Sequence, residues 1–217
     1  LAGITPFDIF DLEDPEWRGV VERSLRHWIL KGPGLWSGWC VPWASMIHSH
    51  VGNAQAAEHL VEAFDRFYTN EGHGTLHDTV AAGFTLMGMS AIQGPASRPD
   101  IMQMDGGMGA VAAIQEMLLH TRRGVNHLFA GAPPRWGRVS FEGMRTDGAF
   151  LVSAARERGV VTEVRVQSEA GGVFRLRNPW PGTAIVQRRG LRAKVEGTVL
   201  EIATTPGERV KLVRSDA

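Results

Sequence analysis

The hydrophobic pattern of this chain changes period part-way along its 217 residues, and that change limits the architectures open to it. Up to about residue 124 apolar residues recur at helical spacing; after about residue 138 they alternate with period two. Residues 15–31 follow Asp14, a good N-cap, and place Pro15 at the first helical position. Trp17, Val21, Leu25 and Trp28 then share one side, and Gly32-Pro33-Gly34 stops the helix. The pattern predicts a very apolar helix over 39–50 and an amphipathic one over 54–68, capped by Asn53. It predicts a further helix over about 110–121, after a 93–99 loop; the apolar run 79–89 reads as a buried helix or an insertion. Short connections between such helices favour antiparallel hairpins, as in a helical array or an α/α barrel.

Eight short alternating segments follow, beginning near residues 139, 149, 160, 173, 184, 191, 199 and 210 and separated by Gly, Pro and Asp. That spacing predicts an antiparallel sandwich. The expected organisation is therefore α+β and multidomain: helices over 1–123, a linker over 124–137 (Gly131-Ala132-Pro133-Pro134 at its centre), and a β-sandwich-like domain over 138–217. The helices are apolar all round, so they are expected to pack against something outside these 217 residues. The start at Leu1 rather than Met carries the same expectation of an upstream part.

Composition excludes several classes. Lys plus Arg and Asp plus Glu both number 23, which argues against a large basic footprint for nucleic acid or an anionic membrane. The local run from Arg188-Arg189 to Lys194 reads as a solvated face. No apolar run reaches the ~20 residues of a membrane helix, and no signal peptide pattern is present; cytoplasmic and secreted locations both stay open. A single cysteine, Cys40, excludes an internal disulfide framework or a Cys-based zinc site and reads as a buried, inert thiol.

Three groups of residues carry potential chemistry. Asp105 lies in Gln103-Met104-Asp105-Gly106-Gly107-Met108-Gly109, read as a glycine-rich loop before a helix. It is a candidate general base, or a helix cap. Trp39 and Trp43, spaced i, i+4 in a stretch where five of the seven Trp fall within the first 43 residues, form a candidate saccharide-stacking wall or part of the core. His73 and His77, spaced i, i+4 with Asp78 adjacent, resemble half of a metal site, but Gly72 and Gly74 make a poor helix there, and no metal or cofactor is expected.

Taken in order, these residues resemble the C-terminal part of glycoside hydrolase family 95, whose members cleave terminal α-L-fucose or α-L-galactose. Ser37-Gly38-Trp39-Cys40-Val41-Pro42-Trp43 with Val51-Gly52-Asn53 is similar to the family pattern TGWSxAW…LGD. Met102 to Gly109 with Ala113-Ile114-Gln115-Glu116-Met117-Leu118-Leu119 is similar to HPPFQIDGNFGxxAGIAEMLL. His127-Leu128-Phe129-Ala130-Gly131-Ala132-Pro133 through Trp136 resembles IHLLPALPxxW, and Phe141-Glu142-Gly143-Met144-Arg145 with Gly148-Ala149-Phe150 resembles KGLRARGGF.

The resemblance implies part of an (α/α)6 barrel followed by a β domain. It implies an inverting reaction on an oligosaccharide or polysaccharide, with Asp105 as the base and carboxyls ~6.5–9.5 Å apart. It leaves the acid, a Glu, in the missing N-terminal part of the same protein, which this chain would need as a partner. His77, Asp78 and Gln103 are further candidates for sugar hydroxyl contacts. The chain departs from the family where Pro99 stands for His, Gly107 for Asn, and Ala44, Ser45 and Met46 for polar residues, and where about 20 extra residues lie between Asp78 and Asp105. The alternative is a non-catalytic carbohydrate-binding or interaction module on the same scaffold.

Overall fold

The computed structural model describes residues 1–80, 84–85 and 101–215. The apolar segment predicted over 79–89 falls mostly outside these residues, and the 93–99 loop wholly so. The described chain is α+β: four helices come first and ten strands in two sheets follow. It forms two compact units, Leu1–Met117 and Leu118–Ala217.

In the first unit, α1 spans Pro15–Lys31, as its sequence signals predict. The Asp14 carboxylate accepts from the Glu16 N–H at 2.8 Å, and Gly32, at φ 70°, closes the far end. Helix α2 spans Cys40–His50 and is buried along nearly its whole length. Pro42 fits because it lies in the first turn, where its missing N–H has no intrahelical acceptor. Helix α3, Ala54–Phe67, starts at Asn53, whose side chain accepts from the Ala56 N–H at 3.3 Å. Two small cores result: Ile4, Leu12, Val21, Leu25 and Ile47 in one, and Val41, Ala63, Phe64 and Tyr68 in the other.

Helix α4 spans Met104–Leu118, so it begins and ends earlier than the 110–121 predicted. The glycines at 106, 107 and 109 are helical instead of forming a loop. Gly107 and Gly109 lie against Thr75 and Trp39, which leave little room for a side chain, so contacts within the unit outweigh their low helix propensity.

All eight predicted strands are present, as β3 (Arg138–Thr146), β4 (Phe150–Glu157), β5 (Val160–Ser168), β6 (Gly172–Arg177), β7 (Ala184–Arg188), β8 (Leu191–Val195), β9 (Val199–Thr204) and β10 (Arg209–Arg214). Two more precede them: β1, Leu119–Arg122, and β2, Val125–Leu128. The segment 124–137, read as a linker, thus carries a strand. It also carries the buried Phe129 and Ala132, and it belongs to the second unit. Buried Arg156 holds it there, donating to the Ala132 and Pro133 carbonyls at 2.9 Å each, with its guanidinium 5.4 Å from the centre of the Phe129 ring.

The sheets run β1-β2-β6-β9 and β3-β4-β5-β10-β7-β8. All pairings are antiparallel except β2 with β6. One core joins the two sheets, with Phe174, Leu176, Leu200 and Ile202 from the smaller packed with Phe150, Val152, Val164 and Leu212 from the larger. Buried Asn126 adds a polar link between them: its amide donates to the Arg175 carbonyl at 2.9 Å and its carbonyl accepts from Thr121 and Thr146.

Candidate functional site

The residues singled out around Asp105 meet in the first unit where three stretches of backbone cross. Leu76 bridges Met102, the His77 N–H donates to the Ile101 carbonyl at 2.9 Å, and the Gln103 N–H donates to the Thr75 carbonyl at 2.8 Å. This short ladder aims the chain into α4. The third stretch, 36–39, enters α2 beside it, where the Gly38 N–H donates to the His77 carbonyl at 2.9 Å. A Cβ on Gly38 would sit 2.1 Å from the Leu76 carbonyl oxygen, so only glycine lets these backbones approach so closely.

Gln103 ties the crossing together. Its Oε1 accepts from the Trp39 N–H at 2.9 Å, and its own carbonyl accepts from the Thr75 hydroxyl at 2.8 Å. The predicted hydroxyl contact therefore has the amide nitrogen of Gln103 and the second lone pair of its Oε1 left to serve it. The Trp39 ring lies against α4 at Gly109, where a Cβ would approach it to 2.6 Å, and its outer part stays exposed. Gly109 is one helical turn beyond Asp105.

Asp105 lies in the first turn of α4 and is exposed. Its carboxylate takes part in no hydrogen bond or ion pair among the described residues, so it is not consumed as a cap; the α4 dipole favours its charge. His77 and Asp78 form a pair, with Nδ1 2.6 Å from Oδ1. An Nδ1–H donating to Asp78 is the tautomer that leaves Nε2 as an acceptor. His73, at φ 57°, is on the exposed turn before the ladder, with its Nδ1 3.9 Å from Asp65. Among the described residues no group of three or more His, Cys, Asp or Glu is arranged to hold a metal ion.

Trp43 is placed apart from Trp39. Its indole N–H donates to the Thr5 carbonyl at 2.9 Å, and its ring meets Trp28 edge-on at 5.7 Å. With Trp28, Arg23 and His27 it lines a shallow depression of about 460 Å³. The two rings thus have different neighbours despite their i, i+4 spacing. Cys40 is half-buried, its Sγ 3.8 Å from the Ser37 hydroxyl.

No family model matches the chain, and no curated protein matches it.

Two polar features escaped the sequence reading. His50, on buried α2, meets Glu116 of α4 at 2.8 Å, a pairing between residues 66 apart that no local pattern announces. Thr75 secures Gln103, and its only sequence signal is its place two residues before His77.

Proposed function

We propose that this chain is the C-terminal part of an inverting glycoside hydrolase of the family-95 type, in which Asp105 is the catalytic base. The observation that carries the reading is the state of Asp105: an exposed carboxylate, held in place by helix α4, with no structural partner among the described residues. Around it, Gln103 and the glycines of α4 fix Trp39 with part of its ring open for the apolar face of a sugar. In the proposed reaction Asp105 takes a proton from water as that water attacks the anomeric carbon. The leaving oxygen is protonated from the opposite side by a carboxylic acid of the upstream barrel.

The helices of the first unit are then late helices of an (α/α)6 barrel. Exposed Met104, Met108, Val111 and Ile114, running along one side of α4, are the kind of surface that earlier barrel helices would cover. The non-catalytic carbohydrate-binding reading draws on Pro99 and Gly107, which replace two polar residues of the family pattern.

The test uses the parent protein that includes the upstream barrel, with aryl α-L-fucoside, aryl α-L-galactoside and fucosylated oligosaccharides as substrates. Asp105→Asn is expected to lower kcat by roughly 10²–10⁴, the range of general-base catalysis, with sugar binding retained. It is also expected to leave stability within about 1 kcal/mol, because only the helix-dipole interaction is lost. Undiminished turnover by Asp105→Asn would remove Asp105 from the mechanism. Sugar binding by a parent that turns over no substrate would establish the binding-module reading.

A further inference from the structure

The second unit carries a basic groove on the outward face of its six-stranded sheet. The cavity is about 700 Å³, and Arg165, Arg188, Arg189, Arg192, Arg209 and Lys211 line it without any carboxylate among the described residues. These cations are scattered over 47 positions of sequence and come together through strand order. In register, Ser153 pairs with Arg165, Arg165 with Lys211, Lys211 with Gln187 and Gln187 with Arg192, which makes one polar row across β4, β5, β10, β7 and β8. A second row places Leu151, Gln167 and Arg209 side by side. At ~4.8 Å between strands, Arg165 and Lys211 are neighbours and Arg192 lies roughly 10 Å beyond Lys211.

The surrounding carboxylates neutralise only part of this charge. Glu163 reaches Arg165 at 3.4 Å and Lys211 at 2.6 Å, Glu142 reaches Arg165 at 3.0 Å, and Glu208 reaches Arg188 at 3.4 Å. Arg192 and Arg209 have no carboxylate within ion-pair distance among the described residues, and Arg189 only the longer-range field of Glu208. Arg189 and Gly190, at φ 46° and 80°, form the tight turn that lifts the β7–β8 hairpin into one wall. Arg165 and Lys211 stand directly opposite each other with Glu163 bridging them, so the uncompensated charge of the groove lies with Arg189, Arg192 and Arg209. The chain as a whole has no net charge, which makes the local excess a feature of this face.

We propose that this groove binds an anionic glycan, an oligosaccharide bearing carboxylate or sulfate groups, laid across β5, β10, β7 and β8. Guanidinium groups pair with either anion in two-point geometry. Between the cations, Ser153, Gln167 and Gln187 supply donors and acceptors suited to sugar hydroxyls. No aromatic ring lines the groove among the described residues, so it lacks the stacking platform that single-stranded nucleic acid needs. The site belongs to the second unit alone and stands whether or not Asp105 is a catalytic base.

The test is direct binding by the 217-residue chain, read by calorimetry at an ionic strength of ~0.15 M. The probes are a decagalacturonate for carboxylates, a heparin decasaccharide for sulfates, a neutral dextran oligosaccharide, and a single-stranded oligonucleotide of matched charge. At least one acidic glycan is expected to bind, more tightly than the oligonucleotide, and the dextran not at all. Arg192→Glu with Arg209→Glu is expected to weaken that binding by about tenfold or more. The same charge change on α1, Arg26→Glu with Lys31→Glu, is expected to alter it less than about twofold. Both altered groove residues are exposed, and an unchanged thermal transition checks that the fold is kept. Absence of binding to both acidic glycans would overturn the proposal. So would unchanged affinity in the groove variant, or tighter binding of the oligonucleotide.

Discussion

Replacing Gly38 by alanine tests the backbone crossing that fixes Trp39 and Gln103. The new Cβ would stand 2.1 Å from the Leu76 carbonyl oxygen and 2.8 Å from Gln103 Oε1. Ordinary carbon–oxygen contact begins near about 3.3 Å, so the Leu76 backbone must retreat by roughly 1 Å. That retreat stretches the Gly38 N–H bond to the His77 carbonyl and displaces Gln103 from the Trp39 N–H, both now 2.9 Å. Each hydrogen bond contributes about 0.5–1.5 kcal/mol net, and overpacking costs about 1–3 kcal/mol. The expected loss is about 2–6 kcal/mol. Urea unfolding followed by tryptophan fluorescence measures it, because five of the seven Trp are in the first 43 residues. Gly34→Ala is the control: nothing lies within 4 Å of its Cβ, and a less flexible unfolded chain is expected to stabilise it by up to about 1 kcal/mol. A Gly38→Ala variant within about 0.5 kcal/mol of the parent, well below the overpacking range, would refute the crossing as described.

Four other outcomes are expected. Arg156→Lys cannot reach both the Ala132 and Pro133 carbonyls; it is expected to destabilise the second unit by about 1.5–3 kcal/mol, read from its urea midpoint. The single tyrosine, Tyr68, has its phenol pushed up to about 12 by burial, so tyrosinate absorbance is expected to rise only near that pH or on unfolding. Burial also holds the His48 imidazole below its ordinary 6.5. The unfolded chain therefore binds the proton first, and stability in the first unit is full above about pH 6.5 and falls as the pH drops below it; His48→Gln is expected to flatten that decline. Glu163 is held below its ordinary 4.5 by the Lys211 hydrogen bond and by Lys211 and Arg165 charge. Its contribution, under about 1 kcal/mol, is present above about pH 4.5 and lost as the pH falls through the folded value. Glu163→Gln is expected to make that lower decline shallower, measured by urea midpoints against pH.

Local signals were legible where a local cause decides the structure. Asp14-Pro15 and Gly32 mark both ends of α1, and period-two alternation with Gly and Pro punctuation marks β3 to β10. The start of α4 was not, because Gly106, Gly107 and Gly109 read as a loop until Thr75, Phe64 and Trp39 are packed on them. Strands β1 and β2 were hidden for a related reason: His120, Asn126 and His127 break the apolar alternation, the two histidines stacking on each other across the hairpin and Asn126 bonding to Arg175 on β6. The candidate site shows the same division. The types of Asp105, Gln103 and Trp39 suggest chemistry locally, while the bond from the Trp39 N–H to Gln103 spans 64 residues. In the second unit Arg188, Arg189, Arg192 and Lys194 look like an ordinary charged hairpin. Only the β5-β10-β7-β8 order reveals that Arg165, Arg209 and Lys211 join three of them.

The place of β2 beside β6 has a practical consequence for dissecting this protein. A shortened chain beginning at residue 138, as the apparent linker invites, would strip β1 and β2 from the smaller sheet. It would uncover the edge of β6 that β2 meets at Leu176, leaving β9 as its one paired neighbour, next to the already exposed Val173. A bare strand of that kind is a template for the same strand in another molecule, so such a truncation is expected to aggregate edge to edge. A soluble version of the β region should instead begin before Leu119, keeping the hairpin that shields β6 and the segment that Arg156 clamps.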